Sequence, residues 1–182
     1  MGTDISRRAT KLARAALLLQ GDRGEYRQVV FESDARYLDF LESGSFDLAI
    51  LHPPYSDMIR YNPDDPRDLS NFHRVDEFCE NLDLVFREIH RLLRPGGTCA
   101  LIIGDLRRMG FYVPLSISAL VTALDSGFVL KEEIVKRQWN CSSTGRWENR
   151  MRRFLLIAHE HIYVLEKGNN AAQEERFRQL LI

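Results

Sequence analysis

Apolar positions along the chain follow two periods, and the switches between them lay out a series of elements. Residues 7–20 place Leu12, Ala15, Ala16 and Leu19 on one face at helical spacing, and Gly21 suits the C-terminal stop. Residues 28–31 predict a short strand. Residues 46–51 are nearly all apolar and stop at His52, the pattern of a parallel strand buried on both faces. Residues 56–74 are polar and rich in Pro, Asp and Asn; a loop of that length in a compact domain is functional or disordered. A second helix is predicted from about residue 76 to 93, with Phe78, Leu82, Val85, Ile89 and Leu92 inward and Pro95-Gly96-Gly97 ending it. Residues 98–103 form another buried strand that stops at Gly104-Asp105. Pro114 opens a third helix that Gly127 ends. Residues 128–138 and 154–166 read as two further strands with a polar, basic connection, and residues 168–182 as a charged tail or terminal helix.

Strands and helices in alternation predict an α/β domain with a mostly parallel sheet, and the last two strands an antiparallel hairpin at its edge. Residues 1–167 make one domain, with 168–182 appended. The 182 residues suffice for a buried core. With 45% hydrophobic and 28% charged residues, the composition is that of an ordinary soluble globular protein. No apolar run approaches the roughly 20 residues that span a bilayer, and no secretory signal opens the chain. Cys79, Cys99 and Cys141 lie far apart, which argues against a disulfide framework or zinc site and for a reducing cytoplasm. A net charge of −1 requires that any nucleic acid be met by a local basic patch.

In open α/β sheets ligands lie beyond the carboxyl ends of the strands. Three predicted strands end there in polar groups, at Asp34, at His52-Pro53-Pro54-Tyr55 and at Asp105. The tetrapeptide is the most specific of these. Its prolines fix φ and remove donors, so backbone carbonyls stand ready to accept from an amine, while the aromatic ring can stack on a planar base. It resembles the Asp/Asn/Ser-Pro-Pro-Tyr signature of the S-adenosylmethionine-dependent amino-methyltransferases, which modify adenine N6 or cytosine N4 in DNA. Residues 31–36, 44–51, 91–97 and 103–105 resemble the same family's stretches around its third, fourth and fifth strands, and residues 134–138 and 155–161 resemble its final two. The likeness covers about residues 2–167. It implies a Rossmann-like methyltransferase sheet and S-adenosylmethionine as cofactor. It further implies that His52, Pro53, Pro54 and Tyr55 form the catalytic turn, and that Asp34, Ala35 and Asp4 bind the cofactor, Asp4 at its ribose. The implied substrate is DNA, as in restriction-modification. His52 departs from the signature: a neutral imidazole offers one acceptor and one donor, and the choice between adenine and cytosine stays open.

The glycine-rich loop that such enzymes place after their first strand is not in the sequence, so the N-terminal strand is expected to be missing and the chain to start within the fold. In the family's strand order, 3-2-1-4-5-7-6, that strand is central. Its lack predicts an exposed apolar edge on the strand ending at Leu51, filled by a partner chain, an upstream segment or self-association.

Lys136, Arg137, Arg146, Arg150, Arg152 and Arg153, interleaved with Trp139 and Trp147, suit phosphate contact with base stacking. His159 and His161 share a strand face but lack an evident third ligand, so no metal is expected. Cys141 reads as a packed residue. Two other functions remain open: a non-catalytic nucleic-acid-binding subunit of a methyltransferase assembly, and an RNA or protein amide methyltransferase.

Overall fold

The computed structural model describes residues 1–20, 28–139, 155–168 and 171–180. Strand β1 (Gly2–Asp4) leads into helix α1 (Arg7–Gln20), and β2 (Val30–Glu32) pairs with β1 in parallel. β3 (Phe46–Leu51) precedes two single 3-10 turns at Ser56–Met58 and Leu69–Asn71. Then come α2 (Val75–Leu92), β4 (Leu93–Ile103), β5 (Leu106–Arg108), β6 (Phe111–Val113), α3 (Leu115–Asp125), β7 (Phe128–Arg137), β8 (His159–Lys167) and α4 (Ala171–Leu180).

The main sheet has the order β3-β4-β8-β7, with β3 and β4 parallel and β8 antiparallel to both neighbours. The expected α/β architecture with an antiparallel edge is therefore present, and β1–β2 form a separate two-stranded parallel sheet. One face of the main sheet carries the core. Cys99, Leu101 and Ile103 of β4 and Tyr163 and Leu165 of β8 pack with the apolar stripe of α2 and with Leu115, Ala119 and Ala123 of α3. All five residues that define the predicted α2 face are buried, with Phe86 added. The last turn of α2 carries Arg91, a cation suited to a helix C-terminus.

Three expectations need correction. First, β3 is not buried on both faces: Leu48 is 52% and Ile50 66% exposed. The register explains why this matters. Leu48 lies beside Thr98 and Ile50 beside Ala100; Ala100 faces Val164, and Ile102 faces Ile162, which faces Ile134. Neighbouring residues in register share a sheet face, so one apolar face runs across all four strands and is only partly covered by the described residues. Second, the predicted face of α1 is outward, with Leu12 63% and Leu19 89% exposed; the helix is fastened instead through buried Thr10 and through Arg14, which donates to the Val30 carbonyl at 2.7 Å. Third, Pro95-Gly96-Gly97 lies inside β4. The helix already stops at Leu92 because Leu93 turns extended (ψ 139°), and a residue preceding proline, as Arg94 does, favours extended backbone too. The β5–β6 hairpin is an element the apolar pattern does not predict; Met109 (φ 50°) and Gly110 (φ 89°) give its two-residue loop the doubly positive φ that tight hairpins use.

Leu101 is fully buried in the core cluster. Leu101→Ala is expected to lower the unfolding free energy by about 2–5 kcal/mol, measured by urea denaturation. A loss below about 1 kcal/mol would place the core elsewhere.

Candidate active site around the His52–Tyr55 turn

The end of β3, the end of β4 and the β7–β8 pair converge on one buried acid. His52-Pro53-Pro54-Tyr55 leaves β3 and enters the tight turn at Ser56, a buried non-glycine residue with φ of 49°. Such a left-handed residue persists only where its surroundings over-determine it. Here the Ser56 hydroxyl donates to the Phe72 carbonyl at 2.6 Å and accepts from Arg108 at 2.9 Å, while Arg108 also pairs with Asp57 at 2.5 Å. Burial would raise the Asp57 pKa, but hydrogen bonds from His73 and Arg108 outweigh it and hold the carboxyl below its usual range. The two ends of the loop at 56–74 are thereby fixed to each other and to the β5–β6 hairpin.

The Tyr55 ring lies against Gly104: a Cβ there would sit 2.7 Å from its Cε2. Its hydroxyl donates to Glu160 Oε1 at 2.5 Å, and His52 Nε2 lies 3.2 Å from the same hydroxyl. Glu160, 6% exposed, also accepts from Lys136 Nζ at 2.7 Å and Gln138 Nε2 at 2.8 Å. Burial pushes the Glu160 carboxyl up, but the donors Lys136, Tyr55 and Gln138 overcome it and leave the pKa below its ordinary value. An ionised acid at this depth is tolerable because it is met by donors on each side.

The other sequence candidates divide. Asp4 is exposed at the end of β1 and accepts from the Ser6 amide at 2.7 Å. Ala35 lines a groove of about 350 Å³ together with Gly2, Thr3, Ile50, His52 and Pro53. Asp34 is nearly buried and its oxygens are taken by Arg36, at 2.7 Å for the closest pair; Arg36 in turn reaches Asn81 and the Arg67 carbonyl. That carboxylate is a structural tie between the β2 end, the loop and α2. Asp105 is similarly committed: it accepts the Ser116 amide at the start of α3 (2.8 Å) and the Tyr112 hydroxyl. Burial and the Asp105 hydrogen bond push the Tyr112 phenol up to about 12. His159 and His161 do acquire Asp105 as a neighbour, their ligand atoms within 4.8 Å of one another. His161 Nδ1 also contacts Glu133 at 2.7 Å, and its Nε2 lies 3.6 Å from Asp105.

Of the basic patch, Lys136 is turned to Glu160 and Arg137 lies over the Trp139 ring at 5.8 Å, with Trp139 84% exposed. Arg146, Trp147, Arg150, Arg152, Arg153 and Cys141 lie outside the described residues. Sequence reasoning missed Glu160, Gln138 and Gly104. The available signal was the acid flanked by two histidines in an alternating strand, which must face the opposite side of the sheet from them.

The Glu160 pKa is depressed, so its tether contributes stability above the ordinary carboxylate range (~4.3) and loses it as pH falls through the lower folded value. Urea midpoints of the wild type should therefore fall toward those of Glu160→Gln between about pH 5 and pH 2. Midpoints that stay parallel would mean the acid is not ionised in the folded protein.

Residues 46–180 match the model of the N6/N4 methyltransferase family, described as DNA methylase. Among solved structures, the Thermus thermophilus protein TTHA0409, described as a DNA modification methylase and solved with S-adenosyl-L-methionine, is 25% identical, with a TM-score of 0.55 over 76% of this chain and 54% of that one. PvuII DNA methyltransferase, cytosine-N4-specific, gives 17% identity and a TM-score of 0.59 over 75% of this chain and 48% of that one. The [4+2]-cyclase SpnF, at 16% identity, reaches 0.60 over 93% of this chain and 66% of that one, so the fold by itself does not name the chemistry. The chain spans about half the length of the methylase structures it matches. No curated protein is significantly similar to it. With a family model covering most of its length and the Pro-Pro-Tyr turn held at the strand ends, the chain belongs to the N6/N4 DNA methylase family.

Proposed function

We propose that this chain carries the catalytic half of an S-adenosylmethionine-dependent transfer of a methyl group to the exocyclic amine of adenine or cytosine in DNA. The observation that supports it most is the His52–Tyr55 turn braced by Glu160, within a chain whose family is that of DNA methylases. The residues fit the cofactor in part. Asp4 offers an open carboxylate for ribose hydroxyls, and Ala35 and Pro53 line the groove beside it; Asp34 serves through its tie to Arg36 rather than as a direct contact. When bound, S-adenosylmethionine supplies an electrophilic methyl group. The protein's own task is orientation. The Pro53 carbonyl and His52 accept the hydrogens of the target amine, Tyr55 lies under the extruded base, and the proton the amine sheds passes to His52 or water. Lys136, Arg137 and Trp139, with Arg146, Trp147, Arg150, Arg152 and Arg153 of the following segment, supply phosphate and stacking contacts.

The groove between β1 and β3 takes a further strand, supplied by a partner chain, an upstream segment or a second copy. β1 pairs only with β2 and β3 only with β4 among the described residues, and both line the same apolar groove. A second copy meeting through β3 would pair antiparallel about a two-fold axis, which suits a slot bordered by parallel pairs less well.

The test is incubation with tritiated S-adenosylmethionine and duplex DNA, tRNA or protein, followed by digestion. Labelled N6-methyladenine or N4-methylcytosine, reduced roughly 10- to 100-fold in Tyr55→Ala, is the expected result. Label in tRNA or protein would shift the substrate. Bound cofactor with no label anywhere would leave a non-catalytic DNA-binding subunit, and no bound cofactor would assign the cofactor site to the strand that fills the groove.

A further inference from the structure

The donors and acceptors around Glu160 have a consequence for His52, whose place in the turn otherwise leaves its two ring nitrogens undetermined. An ionised carboxylate carries no hydrogen and can only accept. Glu160 receives Tyr55, Lys136 and Gln138 at 2.5, 2.7 and 2.8 Å. Lys136 and Gln138 can meet it only as donors through their nitrogens, and a phenol has a single hydrogen, so the Tyr55 hydrogen points at Glu160. The Tyr55 oxygen then faces His52 Nε2, 3.2 Å away, as an acceptor. A neutral imidazole meeting an acceptor through Nε2 must carry its hydrogen there, which leaves the Nδ1 lone pair bare.

We infer that Glu160, acting through Tyr55, fixes His52 in the Nε2–H tautomer, so that Nδ1 is the acceptor presented to the target amine. Glu160 is in this sense a positioning residue: it touches neither base nor cofactor. The chain His52–Tyr55–Glu160–Lys136 joins the ends of β3, β8 and β7, and Gly104 keeps the Tyr55 ring where the chain can close. It also gives a histidine the acceptor role that the neighbouring prolines leave to backbone carbonyls. The depressed Glu160 pKa is consistent with an acid that remains an acceptor throughout the neutral range.

This inference rests on reading the His52–Tyr55 turn as the amine site, but its test needs neither cofactor nor DNA. Long-range proton–nitrogen correlation spectra of the full chain, recorded about two units above the ordinary imidazole pKa of ~6.5, separate protonated from bare ring nitrogens; the His52 signals are assigned by their loss in His52→Gln. A single Nε2–H form is expected in the wild type. Tyr55→Phe, which removes the acceptor oxygen, and Glu160→Gln, which lets the phenol hydrogen turn to His52, should each shift the pair of nitrogen signals toward a mixture with the Nδ1–H form. An Nδ1–H wild type, or wild-type shifts unchanged in both variants, would overturn the inference. Both substitutions nearly conserve volume, and thermal unfolding confirms that each variant is folded. A single tautomer with no methyl transfer would defeat the proposed function alone; mixed tautomers with active transfer would defeat this inference alone.

Discussion

A β-strand presents hydrogen-bonding groups along both edges, and β3 has a neighbour along only one of them among the described residues. Much of the remaining architecture answers to that circumstance. A parallel sheet is ordinarily covered on both faces, yet here α2 and α3 cover one face, while the other presents Leu48 and Ile50 and continues across β4 and β8 through Ala100, Val164, Ile102 and Ile162. Leu12 and Leu19 of α1 are also exposed.

Glu160 shares the less covered face with Ile162 and Val164, yet the site holds together because it is built at the ends of strands that are already paired. His52 and Tyr55 follow the end of β3, Gly104 ends β4, and Glu160 lies on β8 opposite Lys136 of β7. These strands are joined by continuous pairing and by the core beneath them. Glu160 is the point at which they are tied, since its carboxylate is met by Tyr55, Lys136 and Gln138. Lys136, its side chain about half exposed, neutralises Glu160 without being withdrawn from solvent.

Much of this is legible in the sequence. The α2 stripe is, because five apolar residues at helical spacing leave little freedom. The exposed edge follows from the strand order that the Pro-Pro-Tyr resemblance implies. The rest is hidden for identifiable reasons. Periodicity reports which residues are apolar and not whether anything covers them, so it turns the leucines of α1 inward and gives β3 two buried faces. Pro95-Gly96-Gly97 carries a helix-stop signal, but the chain has already turned at Leu93. The commitments of Asp34 to Arg36 and of Asp105 to Ser116 and Tyr112 depend on the fold, as does the link from Tyr55 to Glu160 across 105 residues.

The open edge of β3 is the claim on which the reading of this chain as half of an enzyme stands. Residue-resolved hydrogen exchange on the dilute chain tests it most directly. One alternating set of amides in Phe46–Leu51 should be protected like those of β4, and the other set, facing the groove, should exchange about as fast as exposed loops. Uniform protection across β3 that persists on dilution would show the edge already covered within the chain and would contradict the account; protection that appears only as concentration rises would assign the slot to a second copy instead of a partner strand.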